Sequence, residues 1–297
     1  MAQKPMKKPA KAETSTTGHS WDGIEELNNP LPRWWLYTFY ACIVWAVIYS
    51  VFYPAWPGIK AATPGLLGFS TRALVVEEIA AVDAKLAPIN NKLASVELAA
   101  IADDAELQGY AISAGAAVFR ANCSQCHGSG AAGAKGYPNL LDNDWLWGGD
   151  IEAIHYTVTH GIRNANSDEA RVSQMPAFGR DELLERPQIE AVVNYVMSLS
   201  GAAQDATRVE EGAVVFAENC ASCHGEAAEG NRDLGAPALA DAIWLYGGDY
   251  ATLMDTVINA RGGVMPAQSE TYRSAQGLSE YEIRAVATYV HSLGGGE

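Results

Sequence analysis

The pentapeptide Cys-x-x-Cys-His occurs twice, in NCSQCHG at 122–128 and NCASCHG at 219–225, and it takes four of the five cysteines. The text around the two copies also repeats. AGAAVFRANC and EGAVVFAENC precede them, so that Gly115 and Phe119 match Gly212 and Phe216. YPNLLDNDWLWGGD and APALADAIWLYGGD follow, then SQMPAF and GVMPAQ, and the copies close on IEAVVNYVMSLSG and EIRAVATYVHSLGG. The chain therefore carries a duplicated unit, one copy at about 108–201 and the other at about 205–297. Apolar residues recur at helical spacing throughout, with almost no alternating strand pattern, so a mainly α fold is expected.

Four cysteines in two Cys-x-x-Cys pairs can bind zinc, form disulfides or attach haem. Zinc requires the pairs to converge on one ion with four ligands. Here each pair sits in its own repeat and is followed at once by His. A redox dithiol usually accompanies a βαβ pattern, which is absent. Cys-x-x-Cys-His is the attachment signature of haem c: the thiols add across the two vinyl groups and the His ligates iron. Cys123, Cys126, Cys220 and Cys223 are thus read as the covalent attachment points of two haem c groups, and His127 and His224 as axial ligands. The sixth ligand is expected from the two Met-Pro pairs of the globular part, Met175 and Met265. Met/His ligation fills both axial positions and raises the reduction potential, which suits electron transfer rather than substrate activation. Met197 and Met254 lie in apolar helical patterns and read as core.

Weaker signals surround these residues. Pro138 and Pro237 follow the two histidines by eleven and thirteen residues. Their carbonyls can accept the histidine Nδ1–H and fix the rings, or the prolines can simply form turns. Arg163 and Arg261, upstream of the methionines, are candidates to pair with haem propionates. Trp147 and Tyr246 match across the repeat and read as packing residues first, propionate donors second. His19, His155, His160 and His291 carry no motif and read as surface or helix-cap residues. Cys42, in an apolar run, reads as a small hydrophobe.

Upstream of the repeats stands one long uncharged stretch, Trp34 to Tyr53. Twenty residues at ~1.5 Å each span about 30 Å, the thickness of the hydrocarbon core. Trp34, Trp35 and Tyr37 crowd one end and Phe52, Tyr53 and Trp56 the other, as in an interfacial belt. The apolar core is too long for a cleaved signal, and PAWPG after it lacks the small-x-small pattern. Lys4, Lys7, Lys8, Lys11 and Arg33 precede it, and only Lys60 and Arg72 follow closely, so the positive-inside rule places 1–33 in the cytoplasm. Residues 54–107 then form a periplasmic spacer, helical from Arg72 to about Leu107, with Pro88 expected to break or kink it. The formal net charge of −15 argues against nucleic acid; it serves solubility alone or steers a basic protein partner to an acidic face.

The phrase DGIEELNNPLPRWW, one anchor and two Cys-x-x-Cys-His domains together resemble the dihaem subunit family, CcoP or FixP, of cbb3-type cytochrome c oxidases. The resemblance runs from Asp22 to the last helix. It implies a single transmembrane helix at 34–53, a helical spacer and two tandem class I cytochrome c domains. It also implies a bacterial inner membrane, haems in the periplasm, and electron flow from a soluble or membrane-bound donor cytochrome c through a monohaem cytochrome subunit to a catalytic haem–copper subunit that reduces oxygen. In this family each methionine is assigned to the haem of the other domain. Motif order alone pairs them within a domain, so at this level the pairing of Met175 and Met265 stays open, as does which haem is reduced first. Two competing readings are the cytochrome subunit of a membrane dehydrogenase and a dihaem peroxidase. The second needs an open axial site, whereas both copies offer a Met-Pro ligand.

The pentapeptides predict two haems per chain that stay attached through acid–acetone extraction and denaturing electrophoresis. A single haem, or bound zinc, in the purified chain contradicts the reading.

Overall fold

The computed structural model describes residues 14–241 and 243–295, and the described chain divides into two compact units between Ala84 and Lys85. Lys4, Lys7, Lys8 and Lys11, which set the expected membrane orientation, lie outside the described residues.

The first unit opens on a feature that helical periodicity does not reveal, an antiparallel hairpin of β1 (Thr16–Trp21) and β2 (Ile24–Leu27). Its turn is Asp22-Gly23, with φ of 52° and 82°. Positive φ at both central residues is what a two-residue hairpin turn requires, and Asp-Gly supplies it at low cost. After it, α1 (Arg33–Phe52) covers the expected anchor to within a residue and buries no side chain in the protein. Among the described residues it is the one helix long and apolar enough to cross a membrane. The chain then folds back onto the end of α1: Leu66 and Leu67 donate backbone N–H groups to the carbonyls of Val51 and Phe52 at 3.0 and 3.1 Å.

Helix α2 (Thr71–Ser95) passes through Pro88 as one helix, so of the two outcomes expected there the break does not occur. A proline removes one backbone donor and crowds the carbonyl four residues back. Tertiary contacts downstream of Pro88 offset that cost within the second unit. Leu93 is fully buried, Tyr110 Oη–H donates to Asn90 Oδ1 at 2.6 Å, and Lys92 pairs with Asp104. The end of the spacer is thus built into the globular unit, where Leu93, Ile101, Leu107 and Ala285 share one apolar cluster.

The second unit holds both repeats. A 3₁₀ turn (Ala99–Asp103) leads into α3 (Ala105–Asn122), whose cap Asp104 accepts from the N–H groups of Glu106 and Leu107 at 3.1 Å. The single-turn α4 (Ser124–His127) carries the first pentapeptide, followed by α5 (Ile151–His160) and α6 (Arg186–Leu199). The second copy runs through α7 (Val209–Asn219), the single-turn α8 (Ala221–His224), α9 (Tyr250–Asn259), the short α10 (Glu270–Arg273) and α11 (Glu280–His291).

The helices pair across the repeats. Helix α11, which ends the second copy, packs on α3 and α5 of the first, and α6, which ends the first, packs on α7 and α9 of the second. One core accordingly joins Phe119, Ile154 and Val158 to Ile283, Val286 and Val290. The other joins Ile189, Val192 and Met197 to Phe216, Leu253 and Met254, so both methionines read as core are core. Glycine makes each crossing close. A Cβ on Gly115 would lie 2.0 Å from the Ala285 carbonyl oxygen, and one on Gly212 would lie 2.1 Å from that of Ala191. Beside each glycine an aromatic pair tilts together, Phe119 with Tyr289 at 5.5 Å and Phe216 with Tyr195 at 5.2 Å.

Gly115→Leu or Gly212→Leu should force the crossing helices apart. Overpacking of this kind costs ~1–3 kcal/mol, and thermal unfolding of the full-length chain in detergent should report it as a lowered Tm. An unchanged Tm in both variants contradicts the close crossing.

Candidate functional site

Each pentapeptide sits on one helical turn between the end of a helix, α3 or α7, and a glycine. His127 and His224 N–H groups bond back to the carbonyls of Cys123 and Cys220 at 3.0 Å, and Gly128 and Gly225 stop the turn with φ of 78° and 82°. The first cysteine of each pair is partly buried and the second exposed. Burial, reinforced by the neighbouring thiol, pushes Cys123 and Cys220 up to about 11. Redox and zinc-binding dithiols need the opposite, a lowered pKa and a ready thiolate. Among the described residues no group of three His, Cys, Asp or Glu side chains converges as a metal-binding cluster.

Both histidine rings are fixed by proline carbonyls. Nδ1 of His127 lies 3.1 Å from the Pro138 oxygen, and Nδ1 of His224 lies 2.9 Å from that of Pro237. A carbonyl oxygen only accepts, so Nδ1 carries the proton and the Nε2 lone pair faces away from the carbonyl. Burial lowers both histidine pKa values, which keeps the rings neutral. That is the state and tautomer an iron ligand requires, oriented by the second hydrogen bond. Of the two sequence readings of these prolines, the acceptor role is the one the geometry contains.

The methionines are exchanged. Met175, from the first repeat, lines a cavity of ≈ 630 Å³ together with Cys220, Cys223 and His224 of the second. Met265, from the second repeat, packs against the core that also receives Cys123 of the first. Motif order would have paired them the other way. The exchange follows from the helix pairing, because each methionine loop leads into the terminal helix that has crossed over. The loops are also stitched to the opposite copy. Ile162 and Met265 exchange backbone hydrogen bonds at 2.9 and 3.1 Å, and Gly179 and Arg180 donate to the Ile258 carbonyl at 3.2 and 2.9 Å.

Two arginines take roles that their sequence positions did not suggest. Arg163, in the left-handed region at φ 50°, donates from Nε to Gly263 O at 2.6 Å and from Nη1 to Ser173 O at 3.0 Å. It braces one methionine loop against the other. The residue equivalent to Arg261 is Arg171: each stands four residues before its Met-Pro, an offset readable in the sequence but not used. Trp147 and Tyr246 pack across the repeats as expected, Trp147 against Gly235 and Tyr246 against Gly136. Of the motif-free histidines, His155 pairs with Glu280 at 3.1 Å, and His160 closes α5 beside Ser167 and Glu169.

The cavity suits a planar apolar cofactor. Its volume falls within the ~300–1,000 Å³ of cofactor sites, and Phe178, Val192, Phe216, Leu253 and Trp244 line it. Arg261, in its wall, has a buried Nε with no hydrogen-bond partner, as has Arg171. Orphaned cationic donors suit a cofactor that brings its own carboxylates. A cradle of this kind at the second pentapeptide, with the same histidine–proline geometry repeated at the first, fits a dihaem c-type cytochrome.

Known proteins agree. Residues 13–60 match the N-terminal domain of cytochrome oxidase-cbb3, FixP; residues 111–196 match cytochrome c oxidase, cbb3-type, subunit III; residues 209–294 match cytochrome c. The chain is 61% identical over 298 residues to the cbb3-type cytochrome c oxidase subunit CcoP of Cereibacter sphaeroides, covering 100% of both chains. It is 57% identical to CcoP of Rhodobacter capsulatus, covering 98% of this chain and 99% of that one. To the FixP subunit of Sinorhizobium medicae it is 51% identical, covering 95% of each. The chain belongs to the CcoP/FixP family of cbb3-type cytochrome c oxidase subunits, membrane-anchored dihaem electron-transfer proteins with two covalently bound haem c groups.

The exchange predicts the outcome of single methionine substitutions. Met265→Ala should lower the potential of the haem held at Cys123 and Cys126, and Met175→Ala that of the haem held at Cys220 and Cys223. Each should remove about half of the weak methionine–iron charge-transfer absorbance and leave covalent attachment intact. If each change strikes the haem of its own repeat, the exchange does not extend to the ligands.

Proposed function

We propose that the chain is an electron relay without catalysis of its own, passing electrons from a donor cytochrome c to the oxygen-reducing core of a cbb3-type oxidase. In this reading Cys123 and Cys126 attach one haem, with His127 and Met265 on its iron. Cys220 and Cys223 attach the other, with His224 and Met175 on its iron. Bound haem supplies a reversible one-electron centre. The protein holds the histidines neutral and aimed, supplies a methionine to each site and packs apolar side chains around it. The observation that carries the reading is that a proline carbonyl fixes each histidine ring, that Met175 shares an apolar cavity with His224, and that Met265 packs on the core that receives Cys123. A histidine and a methionine that both held the iron would leave no position for oxygen or peroxide, which separates a relay from a peroxidase.

The remaining partners follow from the same reading. Helix α1 is a single-pass anchor in a bacterial inner membrane, with residues 1–33 in the cytoplasm and both haem domains in the periplasm, as the distribution of Lys and Arg supports. A monohaem cytochrome subunit and a haem–copper subunit take the electrons onward. The donor is a basic cytochrome c, drawn by the acidic balance of a chain with net charge −15.

Stopped-flow reduction of the purified chain by a basic cytochrome c should slow steeply between low and moderate ionic strength, since the Debye length is ~10 Å at 0.1 M. A rate indifferent to salt excludes electrostatic docking. Peroxide turnover by the isolated chain overturns the relay.

A further inference from the structure

Arg171 and Arg261 share a geometry that the duplication has preserved. Each stands four residues before a Met-Pro pair, and each lies over the aromatic residue that precedes a Gly-Gly-Asp. The Arg171 guanidinium is 5.3 Å from the Trp147 ring centre and 4.9 Å from that of Tyr156, and Arg261 is 5.1 Å from the Tyr246 ring. In both, Nε is buried and lacks a hydrogen-bond partner. The other nitrogens are only partly used: Arg171 reaches Ala153 O at 3.5 Å, and Arg261 pairs with Asp255. A buried cationic donor without an acceptor is costly, and the same orphan at two equivalent positions marks a site built for an acceptor. A guanidinium held over an aromatic ring with one edge open matches a carboxylate, which it can bind through two parallel hydrogen bonds.

The positions say where that carboxylate comes from. Arg261 and Tyr246 line the cavity that holds Met175 and His224. Arg171 donates its backbone N–H to Gly161 O at 3.1 Å and accepts from the Arg163 N–H at 2.8 Å, so it flanks Ile162, which pairs on its other side with Met265. Each arginine therefore belongs to a different haem site. Resting on the two-haem reading above, we propose that Arg171 binds a propionate of the haem at Cys123 and Cys126, and Arg261 a propionate of the haem at Cys220 and Cys223. Both act as positioning residues that keep the acid group ionised. Arg163, which the sequence also suggested for this role, lines the same cavity as Arg261, but its Nε and Nη1 are engaged by the two methionine loops.

A propionate paired with a guanidinium titrates below the working range, so the potential of its haem does not follow pH. Other charges facing the pair are Asp150 and Tyr156 at Arg171, and Asp255, Tyr246 and Arg163 at Arg261. Redox titration of the full-length holoprotein across pH tests the assignment, with each haem identified by the signal altered in Met175→Ala or Met265→Ala. Arg171→Gln should lower the potential of the first haem alone and make it rise as pH falls. Arg261→Gln should do the same to the second. Potentials that stay in place and stay independent of pH in both variants overturn the proposal. If a Gln chain fails to load both haems, Arg171→Lys and Arg261→Lys decide. With haem isotope-labelled at the propionate carboxyls, the carboxylate bands of the redox infrared difference spectrum should shift in the Lys chains. Bands that do not move overturn the assignment. Peroxide turnover bears on the relay alone, so the two readings fail separately.

Discussion

Gly115 against Ala285 and Gly212 against Ala191 are contacts of bare backbone on backbone, with no room for a Cβ at either crossing. They let α11 lie on α3 and α6 on α7, and through those pairings they decide which methionine packs on which core. The two cores form only because each terminal helix has left its own repeat. A side chain at either glycine would displace the helix that sets the methionine loop, well away from the iron.

Around that frame the site is made by small polar constraints. Two proline carbonyls choose the histidine tautomer, and burial keeps both rings uncharged. Arg163 is the connector between the methionine loops, reaching Gly263 on one and Ser173 on the other. Its left-handed backbone, at φ 50°, is strain of a kind that persists only where surrounding contacts hold it. The two sites therefore share one scaffold rather than standing as separate modules.

Much of this was legible because the chemistry is local. Haem attachment needs residues within one helical turn, so Cys123 to His127 and Cys220 to His224 are candidates readable from the pentapeptides alone. The anchor was legible for the same reason, since a run from Trp34 to Tyr53 without charge has few other uses. The exchange of terminal helices was not, because a duplicated sequence has the same hydrophobic pattern whether each helix packs at home or abroad. Only the resemblance to a family pointed to it. Pro88 alone signals a break or a kink; that the helix continues depends on the burial of Leu93 on its far side, which propensity does not contain. The N-terminal hairpin was missed although Asp22-Gly23 is a strong turn signal, because a four-residue strand at the surface leaves little periodicity to read. Arg171 stands out only through the fixed offset of four residues before Met-Pro that it shares with Arg261, a signal weaker than a motif.

Exchange also changes what duplication means for this chain. A tandem repeat ordinarily implies modules that can be lost, gained or expressed singly. Here a chain stopped after α6 would keep the first pentapeptide and Met175, yet lack α11 and Met265, which complete the cradle around Cys123. Conversely, a chain begun at α7 would lack α6, against which α7 and α9 pack. Neither half is a protein by itself. The core that receives Cys123 is finished by α11 of the second copy, so its completion must wait until both copies have been made. Duplication has produced one indivisible unit of inheritance in place of two interchangeable parts.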